Sequence, residues 1–359
     1  MNTNMSNQLY NKRSQKDLKK ALEGESFDRL TLSFYKYVNL EKVDEWRDRL
    51  YVDLNSMNVL GRIYVSTEGI NAQVSIPKNL KSNFINYFNS YKQFKNIQVK
   101  RAVQEGNSFY KLTIKIKDEI VAYDIDDNQY DMSVVGEHLD PMDFNEAIEN
   151  KNSIVVDIRN HYESEVGRFK DAIVPDVDRS QELLEEVKNL LNGKENKKIL
   201  LYCTGGIRCE KASSYLIKHK FKNVFQLKGG IIQYAHQIKE QKIKSKFKGK
   251  NFVFDDRLGE RITEDILSNC HQCEKACDNH INCENDACHL LFIQCDKCKK
   301  KYDGCCSKGC AQIIKLPIQK QRILRKEKPD IAAPLIHHYR DRLRPKLKEM
   351  KSRKNITNQ

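Results

Sequence analysis

The sequence predicts a mixed α/β chain in three consecutive parts: a ferredoxin-like domain, a doubly wound α/β domain and a cysteine-rich, zinc-binding region. Three observations predict it. Residues 27–120 order their apolar segments as β-α-β-β-α-β. Residues 140–240 alternate continuous apolar runs with amphipathic stretches, as parallel strands and their covering helices do. Ten of the 12 cysteines fall between positions 270 and 310. At 359 residues the chain has room for two or three domains.

In the first domain, RLTLSFYKYV (29–38) reads as a strand and LEKVDEWRDRLYVDLNSM (40–57) has helical apolar spacing. NVLGRIYVSTEGINAQVSI (58–76) reads as two strands joined at Glu68-Gly69. LKSNFINYFNSYK (80–92) is a second helix, and SFYKLTIKIK (108–117) alternates as a half-buried last strand. Residues 1–26 are polar and expected to fray. Residues 121–139 are expected to be a linker.

In the second domain, NSIVVDIRN (152–160) and KKILLY (197–202) are buried parallel strands. SQELLEEVKNLL (180–191) and CEKASSYLIKHK (209–220) are helices. NVFQLKGGIIQYAHQI (223–238) is strand, glycine turn and helix. Reactive groups in such a domain collect at the carboxyl ends of its strands.

Cys203 stands at one of those ends. It is followed by Thr204, Gly205, Gly206, Ile207 and Arg208 and then by a helix. Amides curling over the sulfur, a helix N-terminus and Arg208 together favour a thiolate. The glycine pair lets the loop turn tightly. This reading requires the amides to converge on a sulfur that a partner can reach. The bland alternative is a buried structural cysteine beside two packing glycines. Cys209 lies one residue past the loop; it either faces the helix interior or resolves a disulfide with Cys203.

The third region spaces its cysteines as Cys270-x2-Cys273-x3-Cys277, Cys283-x4-Cys288, Cys295-x2-Cys298 and Cys305-Cys306-x3-Cys310. Two Cys-x2-Cys knuckles point to tetrahedral structural zinc. Eight thiolates suffice for two sites, one site with free thiols also fits, and spacing does not fix the pairing. No run matches an iron–sulfur pattern. No dinucleotide fingerprint, flavin motif or haem motif is present.

The net charge of +14 is uneven. KIKSKFKGK (242–250) places Lys242, Lys244, Lys246, Lys248 and Lys250 at alternate positions, expected on one face of an extended segment. Residues 311–359 form a basic tail. Basic segments on both sides of a cysteine cluster point to a polyanion, nucleic acid first. No membrane-length apolar run and no secretory leader pattern occur, so a cytoplasmic protein is expected, with reduced thiols.

The segments VVDIRN, CTGGIR and LKGGI resemble a rhodanese domain, in which a six-residue loop cradles sulfur. The resemblance implies a persulfide-carrying Cys203, with Asp157 and Arg159 supporting the loop. With GKNFVFDDRLGERI (249–262) and CHQCEKACDNHINCENDACHLLFIQC (270–295), the chain as a whole resembles the bacterial tRNA wobble-uridine (position 34) hydroxylases. That family implies an acylphosphatase-like N-terminal domain and Cys203 as the essential residue. It implies oxygen-dependent conversion of uridine 34 to 5-hydroxyuridine, with molecular oxygen as co-substrate and the tRNA anticodon region as partner. The competing activity is a persulfide-type sulfurtransferase acting through Cys203.

Overall fold

The structure, a computed structural model, describes residues 9–332. The first domain begins with α1 (Gln15–Glu23), β1 (Arg29–Tyr37), α2 (Val43–Ser56), β2 (Leu60–Ser66) and β3 (Gly69–Pro77). It continues with α3 (Lys81–Asn89), β4 (Lys100–Arg101) and β5 (Leu112–Ile116). The sheet order is β4-β1-β3-β2-β5. Alternation sends Leu32, Phe34, Ile63, Val65, Ala72 and Val74 to one face, where they pack beneath the helices against Phe84 and Phe88. The opposite face carries polar and aromatic side chains.

Two expectations need correcting here. The strand completing β-α-β-β-α-β is β4, beside β1; the expected last strand is β5, which adds to the far edge, parallel to β2. A two-residue strand has no periodicity to read, whereas the β5 segment has. The stretch expected to fray contains α1, whose N-cap Ser14 accepts the Asp17 amide. Lys19 of α1 pairs with Asp256 at 2.9 Å.

The second domain contains β6 (Glu137–Leu139), α4 (Pro141–Glu149), β7 (Ser153–Asp157), α5 (His161–Val166), β8 (Gly167–Phe169), α6 (Ser180–Leu190) and β9 (Lys198–Tyr202). Then come α7 (Ile207–Lys218), β10 (Asn223–Leu227) and α8 (Gly230–Glu240). A parallel sheet of order β6-β10-β9-β7 has α7 and α8 following β9 and β10. The expected linker is mostly exposed but anchored at both ends. Its last residues form edge strand β6, and buried Tyr123 donates a hydrogen bond to the Arg208 carbonyl.

The third region is stitched to both others. β11 (Phe247–Asn251) pairs antiparallel with β8 and with β12 (Glu260–Arg261). In the GKNFVFDDRLGERI segment, buried Glu260 binds Arg257 and accepts the amides of Val103 and Gln104 in the first domain. β13 (His280–Asn282), β14 (Leu291–Ile293), α9 (Asp296–Lys301), α10 (Lys308–Ile313) and α11 (Ile318–Glu327) follow. Among the described residues no helix is long and apolar enough to cross a membrane. Of the expected basic tail, 311–359, the first part is folded, with Ala311 and Ile313 buried and α11 following, and the part beyond residue 332 lies outside the described residues.

Candidate active site

Cys203 sits where β9 ends and α7 begins, because a buried strand must hand its chain over to a helix at the sheet's rim. Its sulfur accepts the Gly206 amide at 3.1 Å and also faces the amide and thiol of Cys209. The loop carbonyls point the other way: the Ile231 and Ile232 amides at the start of α8 donate to the oxygens of Cys203 and Thr204, at 3.0 and 3.1 Å. Gly230 makes that approach possible, since a Cβ there would lie 2.5 Å from the Cys203 oxygen. Gly206, at φ 98°, occupies the left-handed region that lets α7 start with its amides toward the sulfur.

Burial opposes ionisation of Cys203. The Cys209 thiol, the Arg208 charge and the Cys209 and Gly206 amides outweigh it and pull the Cys203 pKa down to about 6. Cys209 is pushed up by burial and by its bond to Cys203, so it stays a thiol and donates. The structure thus gives Cys209 a role in holding the thiolate.

Arg208 does not project freely over the loop. It forms a bidentate pair with fully buried Glu163 on α5, at 2.6 and 2.8 Å, and also donates to Thr204 Oγ1 at 3.2 Å. Asp157 and Arg159 form a second bidentate pair, at 2.8 and 2.6 Å. They reach the loop through Tyr202, whose hydroxyl donates to Asp157 at 2.6 Å, and Arg159 also feels the charge of Glu163, the partner of Arg208.

The loop is the floor of a cleft of about 1120 Å³, larger than the roughly 300–1,000 Å³ of small-molecule pockets. Thr204, Gly205, Ile207 and Arg208 line it, and the polar face of the first domain's sheet forms one wall. Phe252 and Phe254 contribute another. Cys203 itself is 1 % exposed and lies beneath Thr204 and Gly205. The amides converge as the sequence requires, but the sulfur is sealed beneath the loop and does not itself line the cleft, so a partner reaches it only if the Thr204–Gly205 cover shifts. Beside Gly205, where a side chain would stand, there is open space.

Residues from other elements complete the site, and sequence reasoning did not find them. Tyr35 of β1 donates to Glu210 on α7 at 2.9 Å, and Lys100 of β4 lies 4.6 Å from the Tyr35 ring centre. Burial lowers the Lys100 ammonium to about 8, against the pull of Cys203 and Glu210. Lys211 of α7, fully buried, binds Glu68 and Glu119 of the first domain, each at 2.8 Å.

In the third region, Cys270, Cys273, Cys295 and Cys298 gather their sulfurs within 4.8 Å of one another, as do Cys283, Cys288, Cys306 and Cys310. Each group could hold a metal ion. Cys277 and Cys305 belong to neither group.

The five lysines do not share one face. The strand begins only at Phe247, so Lys248 and Lys250 share its face while Lys242 and Lys244 lie outside it. Lys246, Lys248 and Lys250 are ion-paired with Glu149, Asp265 and Asp278.

A six-residue loop closing on an ionised cysteine, at the carboxyl edge of a four-stranded parallel sheet, defines a rhodanese-type protein. Family models agree in order along the chain. An "UPF0176 acylphosphatase like domain" matches residues 29–120, a rhodanese-like domain matches 140–237, and a rhodanese C-terminal model matches 248–311. Over 343 residues the chain is 51% identical to the tRNA uridine(34) hydroxylase of Leptospira interrogans, covering 95% of this chain and 93% of that one. The proteins of that name from Pectobacterium carotovorum and Yersinia pestis are each 46% identical, over 88% of this chain and 90% and 89% of theirs. The chain belongs to the tRNA uridine(34) hydroxylase family.

Proposed function

We propose that this protein is a cytoplasmic enzyme that hydroxylates C5 of uridine 34 in the anticodon loop of tRNA, using molecular oxygen and the Cys203 thiolate. The observation that carries the reading is a thiol of lowered pKa beneath the floor of a cleft of about 1120 Å³, larger than the usual small-molecule pocket. A base in a single-stranded loop can be splayed into such a cleft.

The chemistry follows from the thiolate. Sulfur adds to C6 of the uracil, and the C5–C6 π pair becomes an enolate spanning C5 and O4. Dioxygen takes that pair at C5 and, with one proton, gives a C5 hydroperoxide. Two molecules of a thiol donor, oxidised to the disulfide, supply two electrons and two protons; the O–O bond breaks to leave C5–OH and water. Loss of the C5 proton then expels the thiolate and restores the double bond. Arg208, fixed by Glu163, is a positioning residue that polarises the sulfur. Asp157 and Arg159 brace the strand end that carries it.

The cysteine groups fit zinc. A tetrahedral ion with Zn–S bonds of about 2.3 Å separates its sulfurs by about 3.8 Å. The sulfur separations are 3.6 Å for Cys273–Cys295 and 3.7 Å for Cys288–Cys306 and Cys306–Cys310. A disulfide would hold them at about 2.05 Å. Cys270, Cys273, Cys295 and Cys298 would hold one ion, and Cys283, Cys288, Cys306 and Cys310 the other. Bound zinc supplies folding energy to a region with few apolar side chains.

The test is mass spectrometry of digested tRNA from cells with the gene, without it, and with Cys203→Ser. The expected result is a uridine heavier by one oxygen only in the first. A tRNA difference in sulfur instead would favour the sulfurtransferase, and unchanged hydroxylation by Cys203→Ser would overturn the role of the thiolate.

A further inference from the structure

The first domain's sheet has an unusual second face. Registers across β1, β3, β2 and β5 place Tyr35, Asn71, Tyr64 and Lys115 in one row. The neighbouring row holds Gln73 and Arg62. Apart from Lys115 all of these line the cleft that ends at the Cys203 loop. A sheet face left without a covering layer is ordinarily a solvated surface of short polar residues. This one is recessed and only half-buried, and it carries two rings and a guanidinium.

Its charge is also one-sided. Arg62 and Lys115 form no ion pair or hydrogen bond among the described residues. Lys117 lies 5.9 Å from the Tyr64 ring centre and Lys100 lies 4.6 Å from that of Tyr35. On the facing wall, Arg257 pairs with both Asp255 and Glu260, and Lys19 with Asp256; Glu165, Asp176 and Asp178 also line the cleft, away from the sheet face. The face therefore offers cations for phosphates and flat groups for bases. Tyr35 and Tyr64 stand two strands apart, about 10 Å, enough for one unstacked base on each.

We propose that this sheet face is the platform on which the single-stranded nucleotides flanking the reacting uridine are bound, Tyr64 stacking a base and Arg62 a phosphate or base plane. The inference rests on the tRNA reading above and adds where the substrate lies. Single-stranded RNA is the occupant that matches the surface. A rigid duplex presents phosphates but no free base faces, and the rings are set back inside the cleft. Continuity with the loop decides direction: the strand runs along this row from Tyr64 to Tyr35, then past Lys100 to the floor above Cys203.

The experiment measures binding of a fluorescent anticodon stem–loop RNA to the full-length protein by anisotropy at several salt concentrations, with hydroxylation measured in parallel. Tyr64→Ala and Arg62→Gln should each weaken binding about tenfold, and Tyr64→Phe should bind as the parent does. Arg62→Gln should also flatten the salt dependence by about one unit of slope. Unchanged affinity in both Tyr64→Ala and Arg62→Gln overturns the platform while leaving the hydroxylase reading intact. Parent protein that binds the stem–loop through these residues but never hydroxylates it supports the platform and overturns the hydroxylase reading. Circular dichroism and the Cys203 titration midpoint, both expected unchanged, separate lost contacts from lost folding.

Discussion

Replacing Arg208 by Gln tests whether the loop's charge distribution ionises the sulfur. In the parent, Cys203 falls from the ordinary thiol value of 9.0 to about 6, against the opposition of burial. Three units correspond to about 4 kcal/mol of preference for the thiolate. At pH 7 about nine-tenths of Cys203 is then ionised, against about one-hundredth for a thiol of ordinary pKa. Arg208 is a full positive charge acting on the sulfur beside the Cys209 thiol and two amides, and the Lys100 ammonium also feels the Cys203 charge. Its loss should raise the midpoint by at least about one unit, about 1.4 kcal/mol, cutting ionisation at pH 7 to about one half. The assay is ultraviolet thiolate absorbance against pH, as a difference from Cys203→Ser. The same shift feeds stability. A depressed acid pKa adds about 4 kcal/mol above pH 9, about 1.4 kcal/mol at pH 7, and nothing well below pH 6. A parent midpoint above 8, or an unmoved midpoint in Arg208→Gln, would refute the argument.

Glu163→Gln leaves a buried guanidinium without its carboxylate and should lower unfolding stability by about 3–5 kcal/mol in denaturant titrations. It should also move the Cys203 midpoint further down, since Arg208 then faces the thiolate alone. Metal analysis should find two ions per chain. Cys273→Ser should lose one of them, and Cys277→Ser and Cys305→Ser should keep both.

The loop was legible because its signal is local. An apolar strand, a cysteine, two glycines and a helix start sit within a dozen residues, and backbone geometry alone makes them a nest for sulfur. Glu163 was not legible. It is 45 residues upstream of Arg208, and nothing in its own segment announces a buried pair. Tyr35, Lys100 and Lys211's partners come from or bind another domain, so only the folded chain brings them to the loop. The two Cys-x2-Cys knuckles signalled zinc, but spacing left the pairing open, and only the fold gathers Cys270, Cys273, Cys295 and Cys298 into one group. The second set joins an x4 spacing to an x3 spacing and passes over Cys305, the immediate neighbour of Cys306, a choice that depends on how the backbone turns there. The alternating lysines misled because alternation gives one face only where a strand exists, and Lys242 already has a positive φ of 55°.

The division of labour within the site follows from which way the loop's dipoles point. Carbonyls are satisfied by the start of α8, so the amides remain for the sulfur, and the thiolate needs no counter-ion of its own. Glu163 matters for that reason. An unpaired Arg208 would bind the thiolate directly and hold the nucleophile in an ion pair that substrate would have to break. Shared with Glu163, its guanidinium lowers the sulfur's pKa without capturing it. The unshared cations lie instead on the first domain's sheet, where a polyanion's phosphates would pass. On the proposed reading, attraction for the backbone lies on one wall and reactivity toward the base under the floor. Lys211, anchored between Glu68 and Glu119, fixes the distance between the two by tying the helix that follows the loop to the domain that carries the sheet.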